Sequence, residues 1–213
     1  MRDVLFDLIN GMAGSSPALD GVMLFAAGPL IYLLFAAAGI VSLLAMRKRD
    51  RTTNLWMVGQ VGAALLLGFL VNRVLRMMAF HERPFQTRPV TQLVEHEPGV
   101  SFPSNHATAA ITVALVVGIF VSALWGWLLA LPALLVAFSR VFVGVHWPSD
   151  IVMGGIVGVV ATLIVWWAGK LLLRRYTEDE VDDDEDDDLA ELTAVLPRVP
   201  AAEETVVLPK IRR

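Results

Sequence analysis

From residue 19 to residue 173 the chain is almost continuously apolar, and only short polar stretches interrupt it. A bilayer core takes roughly 20 apolar helical residues to cross. Inside that core every backbone N–H and C=O must be satisfied within the chain, so such runs are α-helices. Five spans are expected, at residues 19–46, 55–80, 104–122, 125–143 and 151–173. The chain is 56% hydrophobic with a mean hydropathy of +0.63, against roughly 45–50% apolar for a soluble domain. The reading is an all-α, polytopic helical bundle embedded in a membrane.

The ends of the chain differ from this middle. Residues 3–12 alternate as a short amphipathic helix, with Asp3, Asp7 and Asn10 on one face and Leu5, Leu8, Ile9 and Met12 largely on the other. It is too short to span, so an N-terminal interfacial helix is expected. Asp3 and Asp7 also interrupt any apolar stretch ahead of a cleavage site, and no cleavable signal peptide is expected. At the other end, ten of the eleven residues from 178 to 188 are acidic. They repel one another and cannot build a core. Two regions follow: residues 1–176 as the membrane-embedded domain, and residues 177–213 as an acidic, disordered tail. The alternative for the tail is a docking segment for a cytoplasmic partner.

Orientation is read from the cations. Arg47, Lys48, Arg49 and Arg51 crowd one short loop, and Lys170, Arg174 and Arg175 close the last span. Cationic short loops stay on the cytoplasmic side. The N-terminus is therefore expected outside, the tail inside, and the polar loops between spans two and three and spans four and five on the outer face of the plasma membrane.

Those outer stretches carry the chemistry. One runs R-M-M-A-F-H-E-R-P from Arg76 to Pro84, one is P-S-N-H from Pro103 to His106, and one is S-R-V-F-V-G-V-H-W-P-S-D from Ser139 to Asp150. Ionisable groups at membrane depth are expensive and usually functional. A transferring phosphoryl group spreads negative charge over its equatorial oxygens, so fixed cationic donors matter most. Arg76, Arg83 and Arg140 are the candidates, since the guanidinium fork binds two oxygens at once. The third span begins at Ser104, Asn105 and His106, where free N–H groups and the helix dipole favour an anion. No cysteine is present, which removes disulfides, zinc-thiolate sites and a cysteine nucleophile. His146 has Asp150 four residues on, close enough on a helical turn to fix its tautomer and make the other nitrogen a nucleophile. His106 then serves as general acid. No cofactor and no metal is expected, because several arginines in one site disfavour a cation.

With those residues in place the chain resembles the type 2 phosphatidic acid phosphatase superfamily of membrane phosphatases and related vanadium haloperoxidases. Its signature of K-x₆-R-P, P-S-G-H and S-R-x₅-H-x₃-D stands here as Arg76…Arg83-Pro84, Pro103-Ser104-Asn105-His106 and Ser139-Arg140…His146…Asp150. Arg76 stands where the pattern has Lys, and Asn105 where it has Gly. The resemblance implies the same roles: His146 as nucleophile, His106 as acid and base, Asp150 as orienter, and Arg76, Arg83, Ser104 and Arg140 on phosphate. Asn105 joins the phosphate-binding set by its place in the second motif.

A narrower resemblance, from about residue 4 to residue 170, is to bacterial undecaprenyl-diphosphatases of the bacitracin-resistance type. It rests on L-F-D-L-I-N-G-M-A-G-S-S-P-A-L-D near the start, on F-P-S-N-H-A, and on V-H-W-P-S-D. It implies hydrolysis of undecaprenyl diphosphate to the monophosphate, with a polyprenyl diphosphate lipid as substrate and the bilayer as surroundings. No nucleic-acid partner is expected, and the sequence does not specify an oligomer. A broader lipid phosphatase acting on phosphatidate or phosphatidylglycerophosphate is the second reading. A transporter or scaffold for an anionic lipid is the third, and the absence of an inverted repeat argues against it.

Overall fold

The computed structural model describes the backbone of residues 2–195 and the side chains of residues 2–175. Eight α-helices and one π-helical turn account for most of it: α1 (Arg2–Asn10), α2 (Pro17–Ala27), α3 (Pro29–Met46), α4 (Arg51–Met78), α5 (Pro84–Thr87), α6 (Asn105–Val116), the π turn (Val117–Val121), α7 (Ala123–Phe142) and α8 (Pro148–Val195). Among the described residues the only β-pairing is an isolated bridge between Glu82 and Val100. The chain divides into two compact units, Met1–Gly169 and Lys170–Arg213.

Among the described residues four helices are long and apolar enough to cross a membrane: Pro29–Met46, Arg51–Met78, Ala123–Phe142 and Pro148–Arg175. One of the five expected spans comes out differently. Residues 19–46 do not form one helix, because Pro29 lacks an N–H and its ring crowds the preceding turn. The chain breaks at Gly28, and the Gly28 N–H closes α2 on the Leu24 carbonyl at 3.1 Å. The third expected span lies where foreseen, with α6 passing into the π turn to give Asn105–Val121. The wider turn ends with the Ser122 N–H on the Val117 carbonyl at 2.8 Å. Arg49 donates to the terminal carbonyls of Phe120 and Val121 at 2.8 and 3.1 Å, filling acceptors that a helix end leaves open.

The amphipathic start is helical as expected, but its buried face is not the leucine face. Phe6 and Asn10, four residues apart, turn inward, while Val4, Leu5 and Leu8 remain exposed. At the other end the helical backbone of α8 continues to Val195, through the acidic run. Residues 196–213 lie outside the described residues.

The core is built by α3, α6 and α7, with Ile31, Leu34, Ala38 and Val41 meeting Ala110, Val113, Ala114 and Val117 and, from α7, Leu129, Ala133 and Val136. Where α8 crosses the start of α6, small residues allow backbone to touch backbone, as helices in membranes require. A Cβ placed on Gly154 would stand 2.7 Å from the Ser104 carbonyl oxygen and 3.1 Å from the Ala107 Cβ. One on Gly158 would stand 3.0 Å from the Thr108 carbonyl oxygen. This approach holds the first turn of α6 against the first turns of α8.

Gly154→Val should therefore force the two helices apart. Overpacking of this kind costs about 1–3 kcal/mol, and a lower thermal midpoint in detergent is expected. Gly155→Ala is the control, since a Cβ there meets nothing within 4 Å; an unchanged midpoint for Gly154→Val would overturn the account.

Candidate active site

The three sequence motifs fold to one end of the bundle and join there through hydrogen bonds to backbone carbonyls. The turn after α7 wraps back on itself, so that the N–H groups of Val145 and His146 both reach the Arg140 carbonyl at 3.2 Å. Gly144 makes this possible with φ +83°, a conformation that favours glycine. The second and third motifs meet where the Ser104 N–H donates to the Asp150 carbonyl at 3.1 Å. The first motif enters through Arg83, whose Nη1 donates to the Val145 carbonyl at 3.0 Å.

His146 and Asp150 are both buried, at 3% and 0% exposure. The His146 Nδ1 lies 3.3 Å from Asp150 Oδ2. A carboxylate can only accept, so the pair assigns the proton to Nδ1 and leaves the Nε2 lone pair available as a nucleophile. The same Oδ2 accepts the Trp147 N–H at 2.9 Å, which fixes the carboxylate independently of the imidazole. Burial pushes the His146 ring down to about 4, against the raising effect of the Asp150 hydrogen bond and charge. The ring is thus neutral at pH 7.

Three arginines surround this pair, and each is tethered by a backbone carbonyl. Arg76 Nη2 donates to Pro103 O at 3.0 Å, Arg83 Nη1 to Val145 O at 3.0 Å, and Arg140 Nη1 to Ala27 O at 2.8 Å. Among the described residues, none of the three forms an ion pair with a carboxylate. Arg83 and Arg140 are 5% and 4% exposed, and the Nε of each is buried without a hydrogen-bond partner. Burial, and next the charge of Arg76, pull the Arg83 guanidinium below its ordinary value, with Asp150 opposing. Cationic donors that are buried, unpaired and left with unused N–H groups are suited to an anion.

Ser104 is the N-cap of α6, its hydroxyl oxygen accepting the Ala107 N–H at 3.4 Å. That leaves its own proton free to donate. His106 sits on the first turn of α6, half-buried, within electrostatic reach of Arg140 and His146. Asn105 is exposed, and its Oδ1 accepts from Asn72 Nδ2 at 3.0 Å. The structure therefore gives Asn105 a tie to α4 in place of the conformational freedom of the glycine in the family pattern. All eight residues singled out in the sequence lie in this one region or on the elements that wall it.

Several contributors were not legible. Asn72 also donates to Thr108 Oγ1 at 2.9 Å, and Thr108 Oγ1 reaches the Gly154 carbonyl at 2.9 Å, so a polar chain links α4, α6 and α8. Trp147 Nε1 donates to the Glu82 carbonyl at 2.9 Å, joining the first and third motifs. His96 is half-buried beside a cleft of about 600 Å³ that Gln92, Glu95 and Glu97 also line. Burial, then the charge of Arg83, push the His96 ring below its ordinary value. A polar residue inside an apolar span, as at Asn72, was the one signal available. The carbonyl tethers leave none. Among the described residues no three His, Asp or Glu side chains converge as a metal site requires.

The family model described as the PAP2 superfamily matches residues 57–172, which include all three motifs. The chain belongs to this superfamily and is a multi-pass membrane phosphatase of the PAP2 type. It is 31% identical over 160 residues to the undecaprenyl-diphosphatase BcrC of Bacillus subtilis, covering 75% of this chain and 80% of that one. It is 33% identical over 156 residues to an undecaprenyl-diphosphatase of Sulfolobus acidocaldarius, covering 72% and 71%. Among solved structures it resembles Aquifex aeolicus LpxE with a TM-score of 0.59 at 24% identity, covering 78% of this chain and 94% of that one, a likeness of fold.

The neutral state of His146 is directly measurable. At pH 6 an ordinary histidine, with a pKa near 6.5, is mostly protonated. The ¹⁵N spectrum of the His146 ring, assigned by its loss in His146→Ala, should remain that of a neutral imidazole at pH 6. A ring titrating near 6.5 would overturn the assignment.

Proposed function

We propose that this phosphatase hydrolyses undecaprenyl diphosphate to undecaprenyl phosphate and inorganic phosphate, on the outer face of the plasma membrane, through a phosphohistidine at His146. One observation carries the reading: the buried imidazole held by Asp150 lies on the same turn-and-helix junction as two buried arginines that, among the described residues, have no carboxylate partner. The names of the relatives support the choice of lipid, and the crowding of cations at residues 47–51 supports the orientation.

The terminal phosphoryl group is held by Arg76, Arg83 and Arg140, with Ser104 and the first N–H groups of α6 completing the cradle. Asn105, tied to Asn72, shapes the rim of that cradle. His146 Nε2 attacks phosphorus. The bond to the bridging oxygen breaks as His106 delivers a proton to it, and undecaprenyl phosphate leaves. His106, now neutral, takes a proton from water, and the resulting hydroxide displaces Nε2 from phosphorus. Inorganic phosphate departs and both histidines return to their starting states. Proton transfer of this kind contributes about 10²–10⁴-fold. Asp150 holds Nδ1–H throughout and balances the charge that grows on the imidazole.

The broader lipid-phosphatase reading shares every one of these steps and differs in the lipid alone. It is separated by kcat/KM for phosphatidate against undecaprenyl diphosphate in the same detergent, with preference for the glycerolipid favouring it.

Purified protein should release phosphate from undecaprenyl diphosphate in EDTA, and His146→Ala should lose at least about a thousandfold in kcat, as for loss of a covalent nucleophile. Rapid quench with terminally labelled lipid should trap acid-labile label on the wild-type chain. Full activity in His146→Ala, or phosphate release without any trapped label at limiting turnover, would sink the phosphohistidine path. Deletion of residues 177–213 should leave kcat/KM within twofold, because every residue in the scheme precedes it; a folded but inactive truncation would contradict that domain boundary.

A further inference from the structure

Helix α1 lies outside residues 57–172, the part that matches the family model, and the reaction scheme above assigns it nothing. Its contacts nevertheless converge on the turn that carries His146. Asn10 is 5% exposed. Its Nδ2 donates to the Thr91 carbonyl and to the Phe142 carbonyl, each at 2.8 Å. Its Oδ1 accepts the Thr91 N–H at 3.1 Å. One amide thus stitches α1, the loop after α5 and the end of α7. The Leu93 N–H, on the Val143 carbonyl at 3.2 Å, continues the seam. Gly144 lies directly under it: a Cβ there would stand 2.9 Å from Thr91 O and 3.3 Å from Asn10 Nδ2.

The other side of His146 is held from the same helix face. Phe6, four residues before Asn10 and 1% exposed, packs on Trp147 with ring centroids 5.1 Å apart. The Arg2 guanidinium lies 4.2 Å over the Trp147 ring. Residue 144 and residue 147 are therefore both braced by α1, and His146 stands between them. A helix that only rested on a membrane surface would have no use for a buried, fully hydrogen-bonded asparagine. The His146 ring itself has a single side-chain tie, the 3.3 Å contact with Asp150. Its placement depends on its backbone, and the backbone depends on these two braces.

We infer that α1 belongs to the catalytic machinery, with Asn10 and Phe6 as positioning residues that grip the two sides of the His146 turn and aim its ring at phosphorus. The inference rests on the reading of His146 as nucleophile. Misplacement of a reacting group by about 1 Å can lower a rate by ~10²-fold, so loss of a brace should act on kcat and leave lipid binding alone.

The test uses the full chain in detergent with Asn10→Asp, which keeps an acceptor and loses both donors, and Phe6→Leu, which keeps an apolar side chain and loses the ring. Asn10→Asp should lower kcat for undecaprenyl diphosphate by about tenfold or more, with KM within threefold and most of the protein folded by size exclusion. In parallel, the ¹⁵N shifts of the His146 ring without substrate should move from one tautomer toward a mixture. Wild-type kcat with unchanged ring shifts would overturn the inference, as would a fall in kcat matched by an equal fall in folded protein. Should Asn10→Asp fail to fold, Phe6→Leu is judged by the same criteria. Should the wild type release no phosphate, the reaction reading fails on its own, and the ring shifts still decide the clamp: altered shifts uphold it and unaltered shifts refute it.

Discussion

Asp150 is the group on which the rest of the site depends. Its side-chain oxygen accepts from the His146 ring and from the Trp147 N–H, and its main-chain oxygen accepts from the Ser104 N–H. A single fully buried residue therefore sets the imidazole, the turn before α8 and the start of α6 relative to one another. Removing a donor from a buried acceptor leaves that acceptor unsatisfied, at a cost of about 1–3 kcal/mol. Orientation of the ring and integrity of the helix junction are in this way the same physical event.

The arginines follow a different logic. Each is anchored by a neutral carbonyl, not by a carboxylate. A carboxylate would hold a guanidinium more tightly and would also cancel its charge. A carbonyl supplies direction and leaves the charge available to an incoming anion. Protein interiors carry such groups where function uses them.

The bundle and its reacting residues were largely legible because both leave strong one-dimensional signals. Apolar runs of bilayer length announce spans, and His146 followed by Asp150 announces a ring with a carboxylate one turn away. The break at Gly28-Pro29 was in plain view and was read as part of one long span, because hydropathy averages across a proline. The inward face of α1 was not legible because a buried asparagine counts as polar in any periodicity argument. Its burial is explained only by the Thr91 and Phe142 backbone groups it satisfies, and those are brought to it by chain that lies 81 and 132 residues away.

The bond from Arg140 to the Ala27 carbonyl has an evolutionary corollary. The acceptor is main chain, so the identity of the side chain at position 27 is irrelevant to it, provided the residue fits. Substitutions there can accumulate without any answering change at position 140. A comparison of many homologous sequences that looks for paired changes would pass over this contact, and over the carbonyl tethers of Arg76 and Arg83 as well. The parts of the pocket that hold its charge in place are the parts that sequence drift leaves unrecorded.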